Sequence, residues 1–158
     1  FSFIEGSYLA VEVVGELNIK DSHRVLEVGT GSGFTAAIIG RLAERVLTID
    51  RYKTLVTQAQ RRLDRLALRN VIVRQADGSN GLSGEGTFDR ILVTAAFPAM
   101  PRFYAEQLVS GGVMVAPVMV DETHCQMVRL TKTGSRFERE ELFPVPYLPI
   151  VPQLALAL

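Results

Sequence analysis

At 158 residues the chain is long enough for one domain with a packed core and too short for two. Its 17 Lys and Arg balance 17 Asp and Glu, so no global charge selects nucleic acid or an anionic membrane. The single cysteine, Cys125, cannot close an internal disulfide, and no apolar run nears the roughly 18 residues of a membrane span, so a reducing, cytoplasmic setting is expected.

The chain opens at Phe1 part-way into an apolar stretch, as a piece of a longer protein would. Residues 8–17 have helical spacing, with Leu9, Val13, Val14 and Leu17 on one stripe. Gly15 weakens that helix, by about 1 kcal/mol against alanine. Residues 24–28 predict a buried strand, 34–42 a helix with apolar Ala36, Ala37, Ile38 and Ile39, and 45–49 a second strand. Residues 54–66 predict an amphipathic helix with Leu55, Ala59, Leu63 and Leu66 inward and Arg61, Arg62 and Arg65 outward. A short strand over 71–74 ends near Asp77-Gly78, and a glycine-rich loop over 81–87 leads to a fourth strand at 91–94. A helix over 103–108, a break at Gly111-Gly112 and a fifth strand over 113–118 complete the alternation. Residues 127–131 and 136–142 flank Lys132-Thr133-Gly134-Ser135 as a hairpin. Pro144, Pro146, Pro149 and Pro152 then keep the chain extended, and the apolar tail over 154–158 is too short to cross a membrane. This rhythm predicts an α/β fold: a doubly wound, Rossmann-like, mostly parallel sheet with an antiparallel C-terminal hairpin.

Arg24-Val25-Leu26-Glu27-Val28-Gly29-Thr30-Gly31-Ser32-Gly33, followed by Leu47-Thr48-Ile49-Asp50, joins a strand, a glycine turn, a helix and a second strand ending in an acid. That arrangement holds an adenosine-containing cofactor at the carboxyl edge of a parallel sheet. Gly29, Gly31 and Gly33, with Thr30 and Ser32 between them, let the backbone pass close beneath a ligand. A dinucleotide site wants Gly-x-Gly-x-x-Gly, but here the third glycine comes one place early and Phe34 replaces the small residue. Glu27, just ahead of the loop, repels a pyrophosphate and suits a cation. S-adenosylmethionine has no phosphate and carries a sulfonium and an ammonium, so the sign of the charge favours it over NAD.

Glu27 is expected to face that ammonium, directly or through water, or else to cap the turn. Asp50, about 20 residues beyond the first glycine and followed by Arg51, can accept from ribose hydroxyls in either cofactor. The alternative for Asp50 is an N-cap for the next helix. Asp77, with Gly78, can accept from an adenine amino group or serve as a turn aspartate. His23 and His124-Cys125 lack metal-ligand spacing, so no metal is expected. Arg61, Arg62, Arg65 and Arg69 read as a solvated face with no nucleic-acid partner, and Tyr8, Phe34 and Tyr52 as packing residues, with a place bordering the cofactor as the alternative.

Four segments together are specific, and Val93-Thr94-Ala95-Ala96 after the fourth strand is far more so than the glycine loop. Val25-Leu26-Glu27-Val28-Gly29-Thr30-Gly31-Ser32-Gly33-Phe34, Ala76-Asp77-Gly78, Phe88-Asp89-Arg90-Ile91-Leu92-Val93-Thr94-Ala95-Ala96-Phe97-Pro98 and Gln107-Leu108-Val109-Ser110-Gly111-Gly112 together resemble bacterial protein-L-isoaspartate O-methyltransferases, over residues 4–150. The resemblance implies one class I methyltransferase domain over 1–158, lacking the helices that precede it in the family. It implies S-adenosylmethionine as methyl donor, an isoaspartyl-containing protein or peptide as acceptor, and a role in protein repair. By the same resemblance Glu27, Gly29, Gly31, Asp50 and Asp77 fall on cofactor positions, while Thr94, Ala95 and Ala96 border the acceptor pocket.

The family carries a Thr-Ile-Ser segment ahead of its first helix, whose serine contacts the acceptor carboxylate. Counted without gaps from Arg24, that segment is Phe3-Ile4-Glu5, so Glu5 takes the hydroxyl position unless a shift brings Ser2 or Ser7 there. An ionised glutamate about 4 Å from an anionic acceptor costs on the order of 1 to 4 kcal/mol. With an amine or hydroxyl acceptor Glu5 is instead a candidate base. A same-fold methyltransferase with another acceptor, and a cofactor-binding protein without isoaspartyl activity, therefore stand as alternatives.

Overall fold

The computed structural model describes residues 6–147 and 149–150. Helix α1 (Ser7–Gly15) buries Ala10, Val13 and Val14, and Gly15 ends it rather than interrupting it. The next elements are β1 (Arg24–Val28), α2 (Phe34–Leu42), β2 (Arg45–Asp50), α3 (Lys53–Arg65) and β3 (Val71–Gln75). They are followed by β4 (Phe88–Val93), α4 (Arg102–Glu106), β5 (Leu108–Met119), β6 (Cys125–Thr133) and β7 (Arg136–Val145). The sheet order is β3-β2-β1-β4-β5-β6-β7. The pairings among β3, β2, β1, β4 and β5 are parallel, and those of β6 with β5 and β7 are antiparallel, as expected.

The chain runs outward from β1 through β2 to β3 and then returns to lay β4 on the other side of β1. The strand order therefore reverses between β1 and β4, and the crevice beyond their carboxyl ends is where open α/β sheets bind ligands. Because strand side chains alternate, the sheet supports two cores. Val25, Val46, Leu92 and Val115 pack with α1, α2 and Leu63 of α3 on one face. Leu26, Val28, Leu47, Ile49, Ile91 and Val93 pack with Phe88 and with Tyr104 and Ala105 of α4 on the other.

Several boundaries differ from expectation for reasons of pairing. The Gly111-Gly112 break lies inside β5, whose register jumps from Phe88↔Leu108 to Arg90↔Val113, a bulge that absorbs extra residues without ending the strand. The helix expected over 103–108 is α4, and Leu108 already belongs to β5. Pro144 lies within β7 and pairs with Gln126, which an edge strand tolerates because one row of its amides is unpaired. Leu66, expected inward, is the C-cap of α3 and 48 % exposed, since the helix has ended before that turn faces the sheet.

At the opposite edge from the crevice, Arg24 Nη1 donates to the carbonyls of Glu85 (2.7 Å) and Thr87 (2.8 Å), holding the glycine-rich loop against β1. Arg90 is buried, with Nε donating to Leu17 O at 2.5 Å, and desolvation pulls its pKa below the ordinary arginine value. Among the described residues no helix is long and apolar enough to cross a membrane.

Candidate cofactor site

The loop between β1 and α2 is pinned from three sides. The N–H groups of Gly29 and Thr30 both donate to Ile49 O of β2, at 2.8 and 3.0 Å. Thr94, just past β4, donates its hydroxyl to Val28 O and Gly29 O, each at 3.1 Å. From α3, Arg62 Nη1 donates to Ser32 O at 2.8 Å. Arg62 was expected to be a solvated charge; it is exposed and also braces the loop, a contact set by helix placement and invisible in periodicity.

The first two glycines differ in what demands them. Gly29 has φ +106°, and a Cβ there would collide with Thr94 Oγ1. Gly31 has φ +51°, and among the described residues a Cβ there would meet nothing within 4 Å. The protein's own packing thus explains Gly29, whereas no described residue fills the space over Gly31 at the crevice mouth. A loop that presents bare backbone to open space fits a cofactor lying across it.

Glu27 is fully buried on β1, level with Thr48 of β2 and Leu92 of β4. Thr48 Oγ1 donates to Glu27 Oε1 at 2.6 Å, and Thr30 Oγ1 lies 2.7 Å from Thr48 Oγ1. Glu27 therefore sits beneath the loop, where a negative charge attracts a cation through a medium less polarisable than water. Thr48 escaped the sequence reading; its one signal is a hydroxyl in the middle of the apolar run of β2.

Asp50 ends β2 and is half-buried. Its Oδ2 accepts from Gly31 N–H and its Oδ1 from Tyr52 N–H, both at 3.0 Å. Tyr52, not Asp50, occupies the N-cap of α3, so the capping alternative for Asp50 does not hold. Each carboxylate oxygen has a further lone pair for a ligand hydroxyl. The Arg51 guanidinium lies 5.1 Å from the Tyr52 ring centroid, and Gln75 Nε2 donates to Arg51 O at 3.0 Å.

Asp77 accepts from Ser79 N–H at 2.9 Å, the Asx turn expected of an aspartate before glycine. Gly78 is buried against Val28, and its carbonyl accepts from the Tyr104 hydroxyl at 2.7 Å. Burial, and then the Asp77 charge, raise the Tyr104 phenol well above its usual range, so it remains a donor. Tyr104 also packs edge-on to Phe97, whose ring centroid is 6.3 Å away.

Beyond β4, the Thr94 hydroxyl is committed to the loop carbonyls, Ala95 is half-buried and Ala96 is fully buried. Ile150 N–H donates to Ala96 O at 2.8 Å, bringing the C-terminal segment to the same edge. Phe34 opens α2 beside the loop and is 45 % exposed, not packed as expected. Glu5 lies outside the described residues, as do Ser2 and the tail over 154–158. Among the described residues no group of three or more His, Cys, Asp and Glu is placed to hold a metal ion.

Comparison with known proteins agrees with this architecture. The family model for protein-L-isoaspartate(D-aspartate) O-methyltransferase (PCMT) matches residues 3–155. A protein-L-isoaspartate O-methyltransferase of Rhizobium meliloti (strain 1021) is 64 % identical over 154 residues, which span 98 % of this chain and 76 % of that protein. Among solved structures, a protein-L-isoaspartate O-methyltransferase superposes with a TM-score of 0.83 at 21 % identity, covering 96 % of this chain and 52 % of the other. A Plasmodium falciparum structure described as a putative protein-L-isoaspartate O-methyltransferase in complex with S-adenosyl-L-homocysteine gives 0.79 at 20 % identity, covering 94 % and 75 %. At those identities the two structures establish the fold, and the chain spans about half the length of the first. The extent of the family match and the identity to the Rhizobium relative go further: this chain belongs to the protein-L-isoaspartate(D-aspartate) O-methyltransferase family.

Proposed function

We propose that the protein methylates the free α-carboxylate of L-isoaspartyl residues in damaged proteins, using S-adenosylmethionine. Membership of the family supports the reaction. The observation that carries the cofactor assignment is the loop at Gly31, covered by no described side chain and hydrogen-bonded to Asp50 at its rim. In this reading Asp50 takes the ribose hydroxyls, and Asp77 with Gly78 takes the adenine edge. Glu27 supplies negative charge beneath the cationic methionine end. Arg51, Thr30, Ser32 and Gly33 complete the frame of that cleft.

S-adenosylmethionine supplies a methyl carbon already activated by positive sulfur. A carboxylate acceptor is ionised at neutral pH and needs no base, since its ordinary pKa is about 4. The protein's contribution is then to orient the reactants and to exclude water. We assign the acceptor side of the cleft to the segment Thr94-Ala95-Ala96, where the Thr94 hydroxyl acts as a brace for the loop. Buried Cys125 is consistent with a reducing, cytoplasmic location.

Glu5 is the feature that favours a second reading, a methyltransferase of the same fold with a different acceptor. Calorimetric titration with S-adenosylhomocysteine and NAD, followed by methylation of an isoaspartyl peptide, decides among these readings. S-adenosylhomocysteine should bind more tightly than NAD and the peptide should be methylated. Equal affinity for NAD would refute the cofactor assignment, and cofactor binding without peptide methylation would favour the second reading.

A further inference from the structure

We propose that Thr48 is a positioning residue for the methionine end of the cofactor, acting through Glu27 and Thr30. The inference rests on the S-adenosylmethionine reading above. Thr48 is fully buried in β2 between Leu47 and Ile49. A hydroxyl at such a position is costly unless it is used, and valine has nearly the same shape without the cost.

The hydroxyl has one proton, and that proton goes to Glu27 Oε1 at 2.6 Å. In the 2.7 Å contact with Thr30 Oγ1, Thr30 must then be the donor. The relay runs in one direction, from Thr30 in the loop to Thr48 in β2 to the Glu27 carboxylate in β1. Strand register enforces it, because Glu27 and Thr48 are direct cross-strand partners. Thr30 is itself fixed in the loop: its N–H donates to Ile49 O, and its carbonyl accepts from Gly33 N–H at 2.9 Å.

One oxygen therefore touches both the buried carboxylate and the glycine loop. Removing it takes a donor from Glu27 and an acceptor from Thr30 together, and linked buried groups lose more than isolated ones. The adenosine end depends on Asp50 and Asp77, which lie outside this relay. The effect should accordingly be confined to ligands that carry the charged amino-acid end.

The test is titration of wild-type protein, Thr48→Val, Thr48→Ala and Thr48→Ser with two ligands. S-adenosylhomocysteine carries the amino-acid end, and 5′-methylthioadenosine keeps the adenosine without it. Thr48→Val and Thr48→Ala should weaken S-adenosylhomocysteine about tenfold or more, the loss expected for a hydrogen bond to a charged group. Methylthioadenosine should change by less than about threefold, and Thr48→Ser should restore wild-type affinity. Measuring both apolar variants leaves one to decide if the other fails to fold. Equal weakening of the two ligands, or no rescue by serine, would make Thr48 a purely structural residue and overturn the proposal. Wild-type protein that binds neither ligand would instead overturn the cofactor reading on which it rests.

Discussion

Strands β1 and β7 belong to one sheet, yet β1 buries four of its five residues while β7 leaves its first six exposed. β1 has a strand on each side and helices over both faces, so even its carboxylate, Glu27, lies beneath protein. β7 is an edge, and Glu138, Arg139, Glu140, Glu141 and Pro144 make it a poor template for another strand. The parallel region directs every carboxyl end to the same edge, where glycine loop, Asp50, Asp77 and Thr94 converge. The antiparallel hairpin reverses direction at each strand and cannot gather loops in that way. It closes the fold, and the proposed cofactor site lies wholly in the parallel region.

Gly29→Ala should break this division most severely. The new methyl would collide with Thr94 Oγ1 at a positive φ, so packing and backbone strain add to about 2 to 6 kcal/mol. Thermal denaturation should show the loss, with cofactor binding abolished. Asp50→Ala should weaken S-adenosylhomocysteine by about 1 to 3 kcal/mol, the usual effect of losing hydrogen bonds to a charged group. A calorimetric titration in which affinity is unchanged would place the ribose elsewhere.

Gly31 and Gly134 sharpen the comparison, because both have positive φ and neither has a described neighbour within 4 Å of an added Cβ. Alanine at either position should cost about 1 to 2 kcal/mol of stability from the left-handed backbone. Only Gly31→Ala should also weaken S-adenosylhomocysteine; equal binding by the two variants would remove the loop from the site. Glu5→Ser should raise isoaspartyl-peptide turnover about tenfold if repulsion of the acceptor is relieved by one pKa unit's worth of energy. Unchanged turnover would assign that contact to another residue. The smallest effect belongs to Arg129, which bridges Glu16 at 2.7 Å and Glu140 at 2.5 Å and so ties the hairpin to the end of α1. Arg129→Gln should cost less than about 1 kcal/mol, since these partly exposed pairs are screened by water, and should leave cofactor affinity untouched.

Features governed by neighbours in the chain were legible without coordinates. The helix over Phe34–Leu42 has the expected bounds, because a glycine turn and a run of apolar residues at helical spacing are local signals. The strands β1, β2 and β3 begin where expected for the same reason, and the acids Glu27 near the end of β1 and Asp50 at the end of β2 follow from motif spacing. The contacts around those acids were less legible. The bulge that carries β5 across Gly111-Gly112 exists because β4 supplies the opposing register.

The amino-acid sequence alone determined the alternation of strand and helix, the glycine loop and the acids that frame it, because spacing along the chain encodes each of them. Tertiary structure alone decided which polar groups meet. Arg62 reaches Ser32 across 30 positions, Thr94 reaches Gly29 across 65, and Thr48 reaches Glu27 across 21. Such contacts arise when strands align in register and helices dock on them, and a hydroxyl or guanidinium carries no mark in the sequence of the carbonyl or carboxylate it will find.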